Sequence, residues 1–329
     1  MRYLFGLALL LMVPASAARV GTDPDFVEAT EIALDRDHPE RREFGALQLV
    51  SSWTLVSSNL RFGGISSMRI DDGNRILAIS DRGSILEFTV APGEAHWPLG
   101  ERPVPAGPGP KVGFGIFDRD IESMAYDPAS GRTWLAFEYW NTIWRYNPAL
   151  SAPVGKRARP DEMRKWPLNQ GPEAMVRLRD GRFLLFSENV RPEKNGADAA
   201  RGLIFARDPL IKGTTALRFQ YQPPAGYRPT DAAQLPDGRV LVLNRHFSLL
   251  DGVAAAITIF DLREIRRRRT LVPRLVARFT PPLNIDNMEA LAVTQEGDRT
   301  FVWIASDDNF SLLQQTLLMK FTLDPTRIK

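Results

Sequence analysis

The sequence predicts an all-β protein, a single closed β-propeller with five repeat units visible and five or six blades. Three observations carry that prediction. One strand–turn–strand sentence occurs five times. Its turns are built on Asp-Gly or a close substitute. The two ends of the chain supply each other's missing strands.

Residues 1–18 read as a signal peptide. Arg2 gives a positive start, Leu4 to Val13 an apolar run, and Ala15-Ser16-Ala17 a small-residue cleavage site. That run is too short to cross a bilayer, which needs about 20 apolar residues. The expected location is therefore periplasmic or secreted. The chain has no cysteine, hence no disulfide and no lipidated cysteine as a membrane anchor. Residues 19–44 are polar and aperiodic, an irregular lead-in, and the propeller domain is expected over residues 45–329.

The units begin with GGISSMRIDDGNRILAISDRGSILEFTV at Gly63 and DIESMAYDPASGRTWLAFEYWNTIWRYN at Asp120. GPEAMVRLRDGRFLLFSENV follows at Gly171, PTDAAQLPDGRVLVLNRHFS at Pro229, and NMEALAVTQEGDRTFVWIASDDNF at Asn287. Their leading polar residues, Ser66, Glu122, Glu173, Asp231 and Glu289, stand 51 to 58 residues apart. A sandwich could hold as many short strands but has no reason to repeat the sentence. Asp72-Gly73, Asp180-Gly181 and Asp237-Gly238 are hairpin turns, with Ser130-Gly131 and Glu296-Gly297 in their place elsewhere. The last unit has three strand candidates, and GALQLVSSWTLVSS from Gly45 is a spare one. Pairing it into the last blade closes the ring and removes a bare edge.

In a blade the start of the innermost strand and the end of the second lie on one face of the disk. The starts bring Glu122, Glu173, Asp231 and Glu289 to the mouth of the central channel. The second-strand ends add Asp81-Arg82, Glu138, Glu188-Asn189, Arg245-His246 and Asp307-Asp308-Asn309. Converging carboxylates resist ionising unless a cation sits among them, and oxygen donors from several segments suit Ca²⁺. Each acid alone could equally cap a turn through backbone N–H groups. With no HExxH, no cysteine and three histidines, a dedicated zinc site is disfavoured. Lys and Arg number 42 against 39 Asp and Glu, too even a balance for a nucleic-acid partner. The run Arg266 to Arg269 is the one basic cluster, a solvated outer segment or an anion- or membrane-binding patch.

FGGISSM…ILAISDRG, DIESMAYDP, PTDAAQLPDGRVLVLNRHFS and above all IDNMEALAV…WIASDDNFSLLQQTLLMKF resemble the phytase-like propeller family, described as having esterase-like activity of phytase. The resemblance covers nearly all of the chain after the signal. It implies a phosphoric-ester hydrolase in which bound Ca²⁺ holds phosphate, although five units stand where those phytases have six blades. On that reading Glu122, Glu173, Asp231, Glu289 and Asp307 hold Ca²⁺. Arg82, Arg245, Asn309 and Glu188 face a small-molecule ester or phosphate ester, and His246 or Asp308 handles the proton. A Ca²⁺-dependent lactonase or carboxylic esterase would use the same mouth. A non-catalytic ligand- or protein-binding propeller is the other class, with the Pro-rich insert from Ala91 to Gly115 as its partner-facing loop. A serine esterase is disfavoured, since GISSM lacks the second Gly of G-x-S-x-G.

Overall fold

The computed structural model describes residues 25–105, 120–155, 158–167, 170–192 and 198–328; the expected signal peptide lies outside them. They form an all-β molecule with two short 3₁₀ turns, Leu262–Glu264 and Pro325–Arg327. In chain order the strands are β1 (Phe26–Glu31), β2 (Glu43–Phe44), β3 (Leu47–Ser57), β4 (Ile65–Asp71), β5 (Arg75–Ser80), β6 (Ser84–Thr89), β7 (His96–Pro98) and β8 (Gly100–Pro103). Then come β9 (Ile121–Asp127), β10 (Arg132–Phe137), β11 (Thr142–Tyr146), β12 (Pro172–Arg177), β13 (Phe183–Pro192), β14 (Asp198–Phe205) and β15 (Ala216–Tyr221). The remainder are β16 (Arg228–Gln234), β17 (Val240–Ser248), β18 (Gly252–Phe260), β19 (Thr270–Leu271), β20 (Arg274–Phe279), β21 (Asn287–Glu296), β22 (Arg299–Asp307) and β23 (Thr316–Leu323).

Five sheets result, ordered β4-β5-β6-β8, β9-β10-β11, β12-β13-β14-β15-β19, β16-β17-β18-β20 and β21-β22-β23-β3-β1-β7, with β2 on β3. Their inner strands β4, β9, β12, β16 and β21 adjoin one another in a ring, β21 returning to β4. Period-2 alternation explains the packing, because each strand sends successive side chains to opposite neighbours. On β5, Ile76 and Ala78 pack toward the last sheet with Trp53, Trp97 and Trp303. Leu77 and Ile79 pack toward the second sheet with Leu135 and Trp144. Separate apolar clusters likewise join the second sheet to the third, the third to the fourth and the fourth to the last.

Among the described residues four sheets have at least the four strands of a full blade and the second has three, so the count of full blades is four against the five or six expected. After β11 the chain returns only as isolated bridges, Tyr146 to Pro153 and Ile143 to Ala158. Pro153, without an N–H, cannot extend a ladder. Among the described residues no sheet closes on itself. The first and last parts of the chain instead share one sheet, β3 pairing antiparallel with β23 from Leu47 opposite Leu323 to Leu55 opposite Thr316, as the run around Trp53 predicted.

Two segments differ from expectation. The 19–44 lead-in holds β1, whose Val27 and Ala29 are buried while Glu28 and Thr30 are exposed; β1 pairs with β3 and with β7. The 91–115 insert holds β7 and β8, and its Trp97 is fully buried against Trp53 and Phe88. Up to residue 105 that insert is therefore structural rather than a free loop, and the rest of it lies outside the described residues.

Asp231 ties inner strands together. Its Oδ2 accepts from the Leu291 backbone N–H on β21 at 2.8 Å and from the Ser67 hydroxyl on β4 at 3.4 Å. Its Oδ1 accepts from the Ala232 N–H at 2.8 Å. Asp231→Ala strands a buried N–H and is expected to lower unfolding stability by about 1–3 kcal/mol in urea denaturation, leaving cation affinity unchanged.

Candidate functional site

A single backbone device positions the site. In every inner hairpin the ladder skips one residue of the innermost strand: Ser66, Glu122, Glu173, Thr230 and Glu289. Such a bulge turns the extra side chain out of the pairing scheme, here toward the channel. The second strand contributes the residue beyond each bulge: Asp81, Glu138, Glu188, Arg245 and Asp307. In the fourth unit the skipped residue is Thr230, whose hydroxyl donates to the Met288 carbonyl at 3.1 Å. Asp231 stands one residue further on, level with Ser67, Ser123, Ala174 and Ala290, and bonds β21 and β4 outside the two carboxylate triads described below.

The remaining acids converge. Asp120 hydrogen-bonds to Glu122 and Glu138, Glu138 to Glu173, and Glu289 to Asp307. Two triads, Asp120–Glu122–Glu138 and Glu138–Glu173–Glu188, each bring one oxygen per residue within 4.8 Å of one another, and Glu138 belongs to both. Arg245 answers them, its guanidinium 2.8 Å from Glu188 Oε1 and 3.3 Å from Glu289 Oε1. Arg228 also approaches Glu188, at 3.5 Å. Glu138 Oε1 accepts the Gly171 N–H at 3.0 Å, and Glu289 Oε1 the Asn287 amide at 2.8 Å.

Burial, then mutual repulsion, raises the acids. Burial lifts Glu122 and Glu173 well above the usual carboxylate range, and the neighbouring glutamates lift them further. Burial brings Glu138 to about 7, assisted by the charges of Asp120 and Glu188. Asp307 rises to about 9 through burial and the charges of Glu289 and Asp81. Glu289 is raised by burial despite the opposing pull of Arg245.

Of four further expected residues, Asp308 and His246 are engaged in other contacts, and Asn309 and Arg82 are exposed. Asp308 is saturated: Oδ1 accepts the Gly64 N–H at 2.9 Å and the Phe310 N–H at 3.0 Å, and Oδ2 the Thr316 hydroxyl at 2.9 Å. It clamps the last sheet to the loop entering the first, where Gly63 and Gly64 leave no room for a Cβ. His246 bonds the Gly226 carbonyl at 2.7 Å, lies on Tyr227 and is 3.7 Å from Asp251, apart from the carboxylate cluster. Asn309 is exposed at the mouth, its N–H donating to Asp307 Oδ1 at 2.6 Å. Arg82 is exposed and lies over the Phe310 ring at 3.6 Å. Asp120 and Glu138 had not been expected among the ligands, although both sit at unit positions readable from the repeat.

A model of the family "Phytase-like: Esterase-like activity of phytase" matches residues 60–310. The chain belongs to the phytase-like family. No curated protein matches it by sequence. Among solved structures this phytase-like chain is similar to the hydrazine synthase of Kuenenia stuttgartiensis. That match has 12% identity and a TM-score of 0.38, covering 82% of this chain and 65% of that one. It is also similar to a putative gluconolactonase (10%, TM-score 0.43, covering 94% and 95%) and to a luciferin-regenerating enzyme (10%, TM-score 0.45, covering 91% and 97%).

Two predictions follow from the mouth. Carboxyls held neutral in the fold but ionised in the unfolded chain favour folding least at high pH. In EDTA, stability is expected to be greatest near pH 4 and to fall as pH rises through about 7 (Glu138) toward about 9 (Asp307), by on the order of a few kcal/mol. Millimolar Ca²⁺ should flatten that slope, as measured by chemical denaturation across the range. Asp308→Ala is expected to cost about 1–3 kcal/mol while leaving turnover per folded molecule unchanged.

Proposed function

We propose that this phytase-like propeller is a secreted or periplasmic hydrolase acting on ester bonds, with a Ca²⁺-dependent site at its acidic channel mouth. The observation carrying this reading is the pair of carboxylate triads sharing Glu138. Oxygen ligands at about 2.3–2.6 Å from one Ca²⁺ stand no more than roughly 5 Å apart, and the triads meet that limit with oxygen donors alone. Asp120, Glu122, Glu138, Glu173 and Glu188 would hold the ion. Bound there, Ca²⁺ would neutralise the acids and polarise an ester oxygen as a Lewis acid.

The chain's own groups supply orientation and charge. Arg245, wedged between Glu188 and Glu289, keeps a cation at the mouth and favours the ionised form of Glu289. Arg82, stacked on Phe310, offers an exposed guanidinium fork to an anionic part of the substrate. Asp307, with Asn309 N–H on Oδ1 and Glu289 beside it, is placed to hold or pass a proton. These roles favour phosphate esters.

A second reading, a carboxylic ester or lactone as substrate, is favoured by the loop tips on the same face. Leu60, Leu249, Leu250, Leu312 and Leu313 are almost wholly exposed there, an apolar rim suited to an acyl group.

Hydrolysis of p-nitrophenyl phosphate and p-nitrophenyl butyrate, with Ca²⁺ and with EDTA, separates the two. Glu138→Gln removes the shared ligand and is expected to weaken Ca²⁺ affinity by about tenfold or more in calorimetric titration, with activity falling in parallel. Turnover that ignores both EDTA and this substitution would exclude the metal-dependent reading.

A further inference from the structure

A second site, of opposite charge, lies at the outer edge of the third sheet. A cavity of about 410 Å³ opens between β14, β15, β19 and the turn over residues 161–166. Its base is apolar: Leu203 and Trp166 are buried, and the Phe219 ring lies flat on Gly202, where any side chain would collide with it. Strand register sets the wall, because Arg201 pairs with Gln220 and Leu203 with Arg218, placing these side chains around one opening. The rim comes from Lys165 on the turn and from Arg268, part of the basic run from Arg266 to Arg269.

That run reaches the cavity because β19 pairs in parallel with β15, carrying a segment of the fourth unit back onto the third sheet. Arg268 takes a positive φ of 55°, and its N–H donates to the Arg218 carbonyl at 2.7 Å. The backbone thus fixes Arg268 beside Arg218.

Four cationic side chains face a single carboxylate, Glu162, which stands 3.9 Å from Arg218. Among the described residues, Arg201, Arg268 and Lys165 have no acidic partner; Arg201 donates only to the Lys165 carbonyl, at 3.3 Å. Burial and neighbouring Arg191 both disfavour the charge on Arg201. The buried Gln220 amide oxygen lacks a hydrogen-bond partner, and a flip of that amide would turn its N–H groups inward. Unpaired guanidiniums around an apolar floor match an anion with a hydrophobic body.

We infer that this cavity binds a small organic polyanion carrying two or more phosphate or sulfate groups, gripped by Arg201, Arg218, Arg268 and Lys165. The site is separate from the acidic mouth and does not depend on the function proposed for it.

The test is calorimetric titration of the full chain with inorganic pyrophosphate in EDTA at low salt. One saturable site is expected. Arg201→Gln and the exposed Arg268→Gln should each weaken binding by about tenfold or more, whereas Arg82→Gln at the mouth should not. Circular dichroism verifies folding, and Arg268→Gln serves should Arg201→Gln fail to fold. Absence of binding at millimolar pyrophosphate overturns the inference, as does binding lost in Arg82→Gln but retained in Arg268→Gln. Co-sedimentation with phosphatidylglycerol vesicles, dependent on Arg268 and without pyrophosphate binding, would assign the arginines to a membrane surface and equally overturn it.

Discussion

The bulge at the start of each inner strand governs this molecule. A regular ladder would alternate its side chains between neighbouring sheets and leave nothing aimed at the axis. One extra residue per hairpin breaks the alternation at the same level in all five sheets. It sets one residue of each inner strand outside the ladder. Because that position is set by the backbone, its side chain is free to vary. Glutamate occupies three of the five, with Ser66 and Thr230 on the others.

That unevenness gives the mouth a direction. The acids crowd on the second, third and last sheets, and Arg245 enters from the fourth, beside Thr230, where no acid competes. A ring of five equivalent carboxylates would hold a cation on the axis. The observed arrangement puts both triads on the second and third sheets and sets a guanidinium against one of them, at Glu188.

Much of this was legible in the sequence because hairpin chemistry is local. Asp-Gly turns and flanking apolar runs specify strand pairing, and Glu122, Glu173, Glu289 and Asp307 were found from their place in the repeat. Failures came where one residue decides orientation. Asp231 is an acid at a unit start, but the ladder skips Thr230 there, and Asp231 spends its oxygens on Leu291, Ser67 and Ala232. Asp307 and Asp308 are adjacent on paper, yet one faces the carboxylates while the other bonds the Gly64 backbone of a different sheet. No local signal encodes that long-range partner. Strand β1 went unread because its two buried residues, Val27 and Ala29, make too short an alternation. Arg268 in the basic cavity depends on a cross-sheet pairing that periodicity cannot convey.

The seam between β3 and β23 also bears on how fast the molecule forms. Leu55 meets Thr316 across that ladder, so the last sheet is assembled from segments almost a whole domain apart in sequence. Contacts of such separation require a large loop to close first, and they slow folding relative to locally paired hairpins. The four other sheets can collapse as their own hairpins emerge. The sheet that carries Glu289 and Asp307 is complete only once both segments have met, although the β21–β22 hairpin that holds the two acids is itself local.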